Sequence, residues 1–207
     1  TLFRSKSKRV IEVIENKGNR KERNISLDTY VINLKTLMKL LTKAQNISAF
    51  FNLSDTLAYL CDEREIMAYE YKGYARCLNS IEAYHKYSLE FLDLDIFSQV
   101  FKSNWPIYTN TNDTPPSKYK KNAQVKKSFI ANGTIVDGTV EESIIGRNVE
   151  IGKGAVVKNC ILLSGCKVSA GSHLENVILD KEARVEKHKE LIGDKDSPLY
   201  VKEGDVV

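Results

Sequence analysis

The 207 residues are 42% apolar and 28% charged, with a net charge of +4, the balance of an ordinary globular chain. No apolar run approaches the ~20 residues of a membrane-spanning helix, and Thr1-Leu2-Phe3-Arg4 opens no secretory leader. The positive charge is mild and dispersed, whereas a nucleic-acid surface needs a concentrated basic face with stacking aromatics, so neither nucleic acid nor membrane is an expected partner.

Residues 1 to 23 are polar, and the basic residues Arg4, Lys6, Lys8, Arg9, Arg20, Lys21 and Arg23 read as solvated loop charges. Asn16-Lys17-Gly18-Asn19 is a turn signal. Val10 to Ile14 is β-branched enough for a strand, with a hairpin into Asn24-Ile25-Ser26. Tyr30-Val31-Ile32 reads as a buried strand. Asn33 then caps a helix whose Leu34, Leu37, Met38 and Leu41 share a face and are expected in a core. Ser54 or Asp55 starts a second helix that turns Leu57 and Leu60 inward. Ile66 to Tyr71 alternates like a strand, Lys72-Gly73 turns the chain, and Tyr74 to Leu78 forms another strand. Ser80 caps a helix running to about Asp93. Strands alternating with helices over residues 1 to 95 predict an α/β unit, and no Gly-rich phosphate loop occurs in it.

Residues 98–122 carry Trp105-Pro106 and Pro115-Pro116, which break helices. They read as a linker anchored by packing of Trp105. The cysteines Cys61, Cys77, Cys160 and Cys166 form no C-x-x-C pair and suit neither zinc nor a disulfide framework. Reduced thiols in a cytoplasmic protein are expected.

From Ala123 the chain repeats. Ser143-Ile144-Ile145, Cys160-Ile161-Leu162 and Val177-Ile178-Leu179 follow one another at 17 residues, as do Val140, Val157, Leu174 and Leu191. Ser128-Phe129-Ile130 precedes the first of these by 15, so two residues are missing between Ile130 and Val140. A finer step of six runs through Ile145, Ile151 and Val157, with Gly146, Gly152, Gly154, Gly165 and Gly171 at the tight turns. Two agreeing periods predict a hexapeptide β-helix, three short strands per coil. After Val185 the pattern decays into Glu186-Lys187-His188-Lys189-Glu190, which suits a charged cap on an otherwise open end.

Nearly all of the chain resembles the C-terminal part of the glucose-1-phosphate adenylyltransferase (ADP-glucose pyrophosphorylase) family. The resemblance rests on Ala68-Tyr69-Glu70-Tyr71-Lys72-Gly73-Tyr74, Ser80-Ile81-Glu82, Asn104-Trp105-Pro106-Ile107-Tyr108-Thr109, Pro115-Pro116, Gly138-Thr139-Val140-Glu141, Ile151 to Asn159 and Leu174 to Lys181. It implies a partial Rossmann-like nucleotidyltransferase domain over 1–97, a linker over 98–122 and an all-β left-handed parallel β-helix over 123–207, assembled as a tetramer. Catalytic members make ADP-glucose and pyrophosphate from ATP and glucose 1-phosphate, using a Gly-rich loop that these residues lack.

Two departures bear on the chemistry. Where catalytic members place an Asp that helps hold Mg²⁺ on the triphosphate, this chain has Cys77, in Cys77-Leu78-Asn79-Ser80. Mg²⁺ takes hard oxygen ligands, and a thiol is soft. Where they carry Ala-Ser-Met-Gly-Ile-Tyr, Ser26 and Tyr30 match but Asp28 replaces the Gly, and no Glu-Lys-Pro run precedes it. The resemblance is therefore to the non-catalytic D-type regulatory subunit, with no catalytic, cofactor or metal residue in this chain and Mg²⁺ left to a catalytic partner. The alternative is the C-terminal half of an active sugar-1-phosphate nucleotidyltransferase. An anionic sugar-phosphate effector is expected near the basic residues Lys118, Lys120, Lys121, Lys126, Lys127, Arg147 and Lys202. A hexapeptide acyltransferase would need a catalytic His; His173 is the one candidate within the coils and has no motif around it, and His85 reads as structural.

Overall fold

The computed structural model describes residues 2–14, 24–47, 53–60, 65–109 and 111–207. The chain divides into two units, Thr1–Lys72 and Gly73–Val207. The turn expected at Asn16–Asn19, the charges Arg20, Lys21 and Arg23, and Cys61 lie outside the described residues.

In the first unit, β1 (Leu2–Lys6) pairs antiparallel with both β2 (Arg9–Ile14) and β3 (Asn24–Ile25). The strand expected at Val10–Ile14 is thus present, but the hairpin joins it to the strand before it. Ser7 and Lys8 make that turn with φ of 51° and 70°, the left-handed pair whose twist matches a two-residue hairpin. Asn24-Ile25 pairs with β1 instead of β2. Helix α1 (Leu34–Ile47) starts where Asn33 Oδ1 accepts the Lys35 N–H at 2.9 Å, and α2 (Leu53–Leu60) follows.

Three expectations fail in this unit. Tyr30-Val31-Ile32 forms no strand, and Val31 is fully exposed. The predicted core face of α1 points outward: Leu34 is 71% and Met38 56% exposed, while Leu40 and Ala44, one turn apart on another face, are buried. Ile66–Tyr71 makes only a single bridge, Met67 to Arg9, flanked by Val10 N–H to Ile66 O (2.8 Å) and Ala68 N–H to Lys8 O (2.7 Å). Periodicity sorts apolar residues onto faces, but which face is buried depends on what packs there. No parallel Rossmann-like sheet is formed among the described residues.

The second unit begins with an extended run in which Tyr74–Leu78 forms no strand. Ser80 Oγ accepts the Ala83 N–H (3.1 Å) and caps α3 (Ile81–Leu89); a 3-10 turn (Glu90–Leu92) leads to α4 (Leu94–Val100), capped by Asp93. Trp105, expected to anchor the following stretch, is 79% exposed.

The solenoid occupies the rest, starting at β4 (Lys118–Tyr119), ahead of Ala123. Strands β4, β7 (Ile135–Val136), β10 (Glu150–Ile151), β13 (Lys167–Val168) and β16 (Arg184–Val185) stack as one sheet. A second sheet holds β5 (Gln124–Lys126), β8 (Thr139–Glu141), β11 (Val156–Lys158), β14 (His173–Glu175) and β17 (Glu190–Ile192). A third holds β6 (Phe129–Ile130), β9 (Ile144–Ile145), β12 (Ile161–Leu162), β15 (Val177–Leu179) and β18 (Leu199–Val201). All ladders are parallel, as in a hexapeptide solenoid. The 17-residue step is the register itself: Val157 pairs with Val140 and Leu174. The two missing residues lie between β7 and β8, where only Asp137 and Gly138 connect the strands. The repeat also outlasts Leu191. Val177 pairs with Leu199, 22 residues on, because an inserted segment hides the last strand from a fixed period.

Inward positions make one apolar column per sheet, with Val136, Val140, Val149, Val157 and Leu174 at 0% exposure. The corners use left-handed residues at the same cyclic places. Asn148, Gly165 and Glu182 have φ of 57°, 78° and 59°, and Glu142, Asn159 and Asn176 have 46°, 51° and 53°. A non-Gly residue in this region costs ~1–2 kcal/mol. The corner N–H groups offset this by bonding one coil back, Asn159 to Glu141 O (3.0 Å) and Glu182 to Ser164 O (3.0 Å). Asn159 Nδ2 also donates to Asn176 Oδ1, and Asn176 Nδ2 to Gly193 O (2.9 Å), a side-chain ladder along that corner. Gly152 is needed for another reason: a Cβ there would lie 2.6 Å from Ala170 N.

The third sheet is apolar on its outer face as well. Ile161 and Ile178 lie outside the inward column yet are 2% and 1% exposed. The helices cover this face: Phe97 of α4 meets the Phe129 ring edge-on at 5.5 Å, and His85 of α3 bonds Asn159 O. Ile178→Ala should therefore lower the unfolding free energy by ~2–5 kcal/mol. Ile192→Ala, at a 57% exposed site, should change it by less than ~0.5 kcal/mol. Urea unfolding of the two variants checks this; equal losses would show that the outer face is not packed.

Candidate functional site

Cys77 sits in the extended run that leads into α3, exposed and unbridged. Its neighbours in sequence are held against the helices by one carboxylate. Glu90 Oε2 accepts the Tyr74 hydroxyl at 2.8 Å and Arg76 Nε at 3.0 Å. The Arg76 guanidinium lies 4.6 Å over the Tyr74 ring and 5.4 Å over that of Tyr87. Burial, then the bond to Glu90, pushes the Tyr74 phenol up to about 12. Glu90 is thus already committed to a cation and a hydroxyl. At position 77 itself the donor is a thiol, and among the described residues no group of three or more His, Cys, Asp or Glu side chains is arranged to hold a metal ion.

Asp28, at the other departure, has φ of 50°. That is backbone a glycine adopts freely and Asp tolerates better than most residues. Its Oδ1 accepts from Ser26 Oγ and from the Tyr30 hydroxyl, both at 3.1 Å, and its own N–H donates to Ser26 Oγ at 3.1 Å. A carboxylate anchored by its own neighbours occupies this turn.

The expected basic cluster is only partly brought together. Lys118, Lys120, Lys121, Lys126 and Lys127 all lie on the first coil and are exposed. Lys120 is 4.0 Å from Asp137 and Lys127 is 3.7 Å from Glu142. Arg147 sits at the corner between β9 and β10, partly buried. Lys202 follows β18, at the opposite end of the third sheet from β6, about four strand spacings or ~19 Å away. A run of lysines in sequence therefore marks one coil, and Lys202 does not join it.

The histidines behave as two different groups. His173 lies on the outer face of the second sheet, half-buried, in register with Val156 and Glu190. His85 is buried at 2% exposure, and its Nε2 lies 2.8 Å from Asn159 O. Facing a carbonyl, Nε2 carries the proton and donates. Burial lowers this ring's pKa, and the bond only partly counters that. The coil thiols are inert by the same physics. Burial pushes Cys160 and Cys166 up to about 12 each, and their Sγ atoms donate to Lys158 O (3.0 Å) and Asp180 O (2.9 Å).

A model of the GlmU-like, C-terminal hexapeptide family matches residues 115–198, the solenoid. The "Glycogen biosynthesis protein GlgD" of Bacillus subtilis (strain 168) is 35% identical over 179 residues, 86% of this chain and 52% of that protein. The protein of the same name from Geobacillus stearothermophilus is 53% identical over 70 residues, 34% of this chain and 20% of that one. A "Glucose-1-phosphate adenylyltransferase" of Corynebacterium jeikeium (strain K411) is 26% identical over 176 residues, 77% of this chain and 44% of that protein. The chain thus spans about half the length of the Bacillus and Corynebacterium relatives. No helix among the described residues is long and apolar enough to cross a membrane.

Two measurements test the assignments. A maleimide should modify Cys77 in the native protein but reach Cys160 and Cys166 only on unfolding, as peptide mapping would show. His85, with its folded pKa below the unfolded value of 6.5, binds fewer protons folded than unfolded. Stability should therefore fall as pH drops below about 6.5. Urea midpoints from pH 7.5 to 5.5 should show that decline, and a His85→Gln variant should flatten it. An unchanged slope would assign the decline to other groups.

Proposed function

We propose, for a chain related over most of its length to GlgD proteins and glucose-1-phosphate adenylyltransferases, that it is part of a non-catalytic subunit of ADP-glucose pyrophosphorylase in glycogen synthesis. In this reading residues 1–97 complete a Rossmann-like nucleotidyltransferase domain and the solenoid is a left-handed β-helix. The subunit joins a catalytic partner in the cytoplasm and modulates its conversion of ATP and glucose 1-phosphate to ADP-glucose and pyrophosphate.

Cys77 is the observation that carries this reading. A hard Mg²⁺ ion bridging phosphates needs carboxylate oxygens; the donor here is an exposed thiol. The nearby Glu90 carboxylate is bound to Arg76 and Tyr74. The site does not fit the ion, and no phosphoryl transfer is assigned to this chain. Asp28 reinforces the point, because an exposed carboxylate at the turn the resemblance places beside the sugar phosphate repels a dianion. The second reading, an active nucleotidyltransferase, draws on the 26% identical adenylyltransferase and must explain both residues.

Full-length protein alone should make no ADP-glucose with Mg²⁺, ATP and glucose 1-phosphate. Mixed with the catalytic subunit, it should change that subunit's kcat, KM or response to sugar-phosphate effectors. Cys77→Asp alone should stay inactive, since Asp28 remains. Mg²⁺-dependent turnover by the unaltered protein on its own would establish the second reading instead.

A further inference from the structure

The corners with left-handed backbone at Gly133, Asn148, Gly165 and Glu182 are entered through Asn132, Arg147, Ser164 and Lys181. One of these four steps carries chemistry of its own. Gly133 is required where it stands, because its φ is 80° and a Cβ there would overlap Asn148 Oδ1. The residue before it is an asparagine, and this is the one Asn-Gly step in the 207 residues. Asparagine is among the thermolabile residues. A following glycine, with no Cβ to hinder it, lets its peptide nitrogen swing onto the asparagine side-chain carbonyl carbon.

The electrophile of this step is open to water, since Asn132 is exposed. Its nucleophile is held. Gly133 N–H donates to Pro115 O at 2.6 Å. Pro115 belongs to a short strap laid along the corner. Ser117 Oγ donates to Ala131 O (2.9 Å) and Lys118 N–H donates to Thr134 O (2.8 Å), so the strap grips the chain on both sides of Asn132-Gly133. From the next coil, Asn148 N–H donates to Asn132 O at 3.2 Å. A peptide nitrogen fixed in such a bond keeps its proton and does not turn towards the neighbouring side chain. Reaction needs the strap to lift, a local opening that leaves the later coils in place.

We propose that Asn132 is a site of spontaneous deamidation whose rate is set by the strap of residues 115–118. When the strap lifts, the Gly133 nitrogen gives its proton to hydroxide and bonds to Asn132 Cγ. The side-chain Cγ–N bond breaks, and the amide leaves as ammonia with a proton from water. The cyclic imide then takes up water at either carbonyl, giving an aspartate or an isoaspartate at this position. No oxidation or reduction is involved. Either product adds a carboxylate to a coil whose residues 117–132 hold five lysines and no acidic residue. The isoaspartate also adds a methylene to the main chain between β6 and β7, whose registers are fixed by β9 and β10.

Full-length protein is incubated at mildly alkaline pH, both folded and in denaturing urea. The Asn132 peptide is then quantified by mass spectrometry, and isoaspartate by enzymatic methylation. In urea Asn132 should convert faster than every other asparagine, and in the folded protein at least about tenfold more slowly. Ser117→Ala, which removes one bond of the strap, should raise the folded rate about fivefold and leave the rate in urea unchanged. If that variant fails to fold, a wild-type series in urea too dilute to unfold the solenoid decides, since the rate should climb as the strap opens. A folded rate equal to the rate in urea overturns the proposal, as does faster conversion at another asparagine in urea. A wild-type rate in folded Ser117→Ala, or a rate that stays flat until global unfolding, overturns the strap as the gate.

Discussion

Each coil of the solenoid completes its backbone hydrogen bonds and its apolar core only through the coils on either side. A two- or three-residue strand has no stability of its own; stacked in register it gains a ladder and a column of buried side chains at once. This forces the 17-residue step, since a slip of one residue would turn Val157 outward and a charged neighbour inward. It also fixes the corners. Left-handed backbone must recur at Asn148, Gly165 and Glu182, whatever residue stands there. The ladder pays for the non-glycine cases by giving each of their N–H groups an acceptor one coil back.

The same constraint explains why the helices belong with the solenoid. Two of the sheets show polar or charged outer residues, among them the Lys158–Glu175 pair at 3.3 Å and the Lys167–Glu150 pair at 3.2 Å. The third shows Phe129, Ile144, Ile161 and Ile178. A sheet apolar on both faces must be covered on both. Helices α3 and α4 supply that cover, and His85 ties α3 to the backbone at Asn159, one of the left-handed corners. The run carrying Arg76 and Cys77 is in turn held to these helices through Glu90. The repeat therefore reaches, by two short contacts, the run that carries Cys77.

Legibility in the sequence followed the number of constraints acting on each residue. Stacked positions answer to two neighbouring coils, so their period was visible, down to the two residues missing between β7 and β8. The last strand escaped because the inserted segment before Leu199 breaks the period without breaking the ladder. In the first unit only β1, among the described strands, has a strand on each side. Leu34 and Met38 have the spacing of a core face but nothing described packs on them, and Tyr30-Val31-Ile32 has the composition of a strand but pairs with no strand among the described residues. The caps at Asn33 and Ser80, which depend on local chemistry alone, were read correctly. Among the candidate site residues, the lysines of the first coil were near in sequence and stayed near in space, and Lys202 could not be placed without knowing how many coils intervene.

The two departures share a physical logic that separates fold from chemistry. Asp28 retains the left-handed turn that a glycine would make and satisfies its carboxylate with Ser26 and Tyr30. Cys77 keeps a small side chain in an exposed run whose position is set by Tyr74 and Arg76 on Glu90. Under the proposed function, one adds a negative charge where a phosphate would need none, and the other removes a hard oxygen donor where Mg²⁺ would need one. In the same reading, chemistry is lost at two exposed side chains while the contacts that join the helices to the solenoid stay in place.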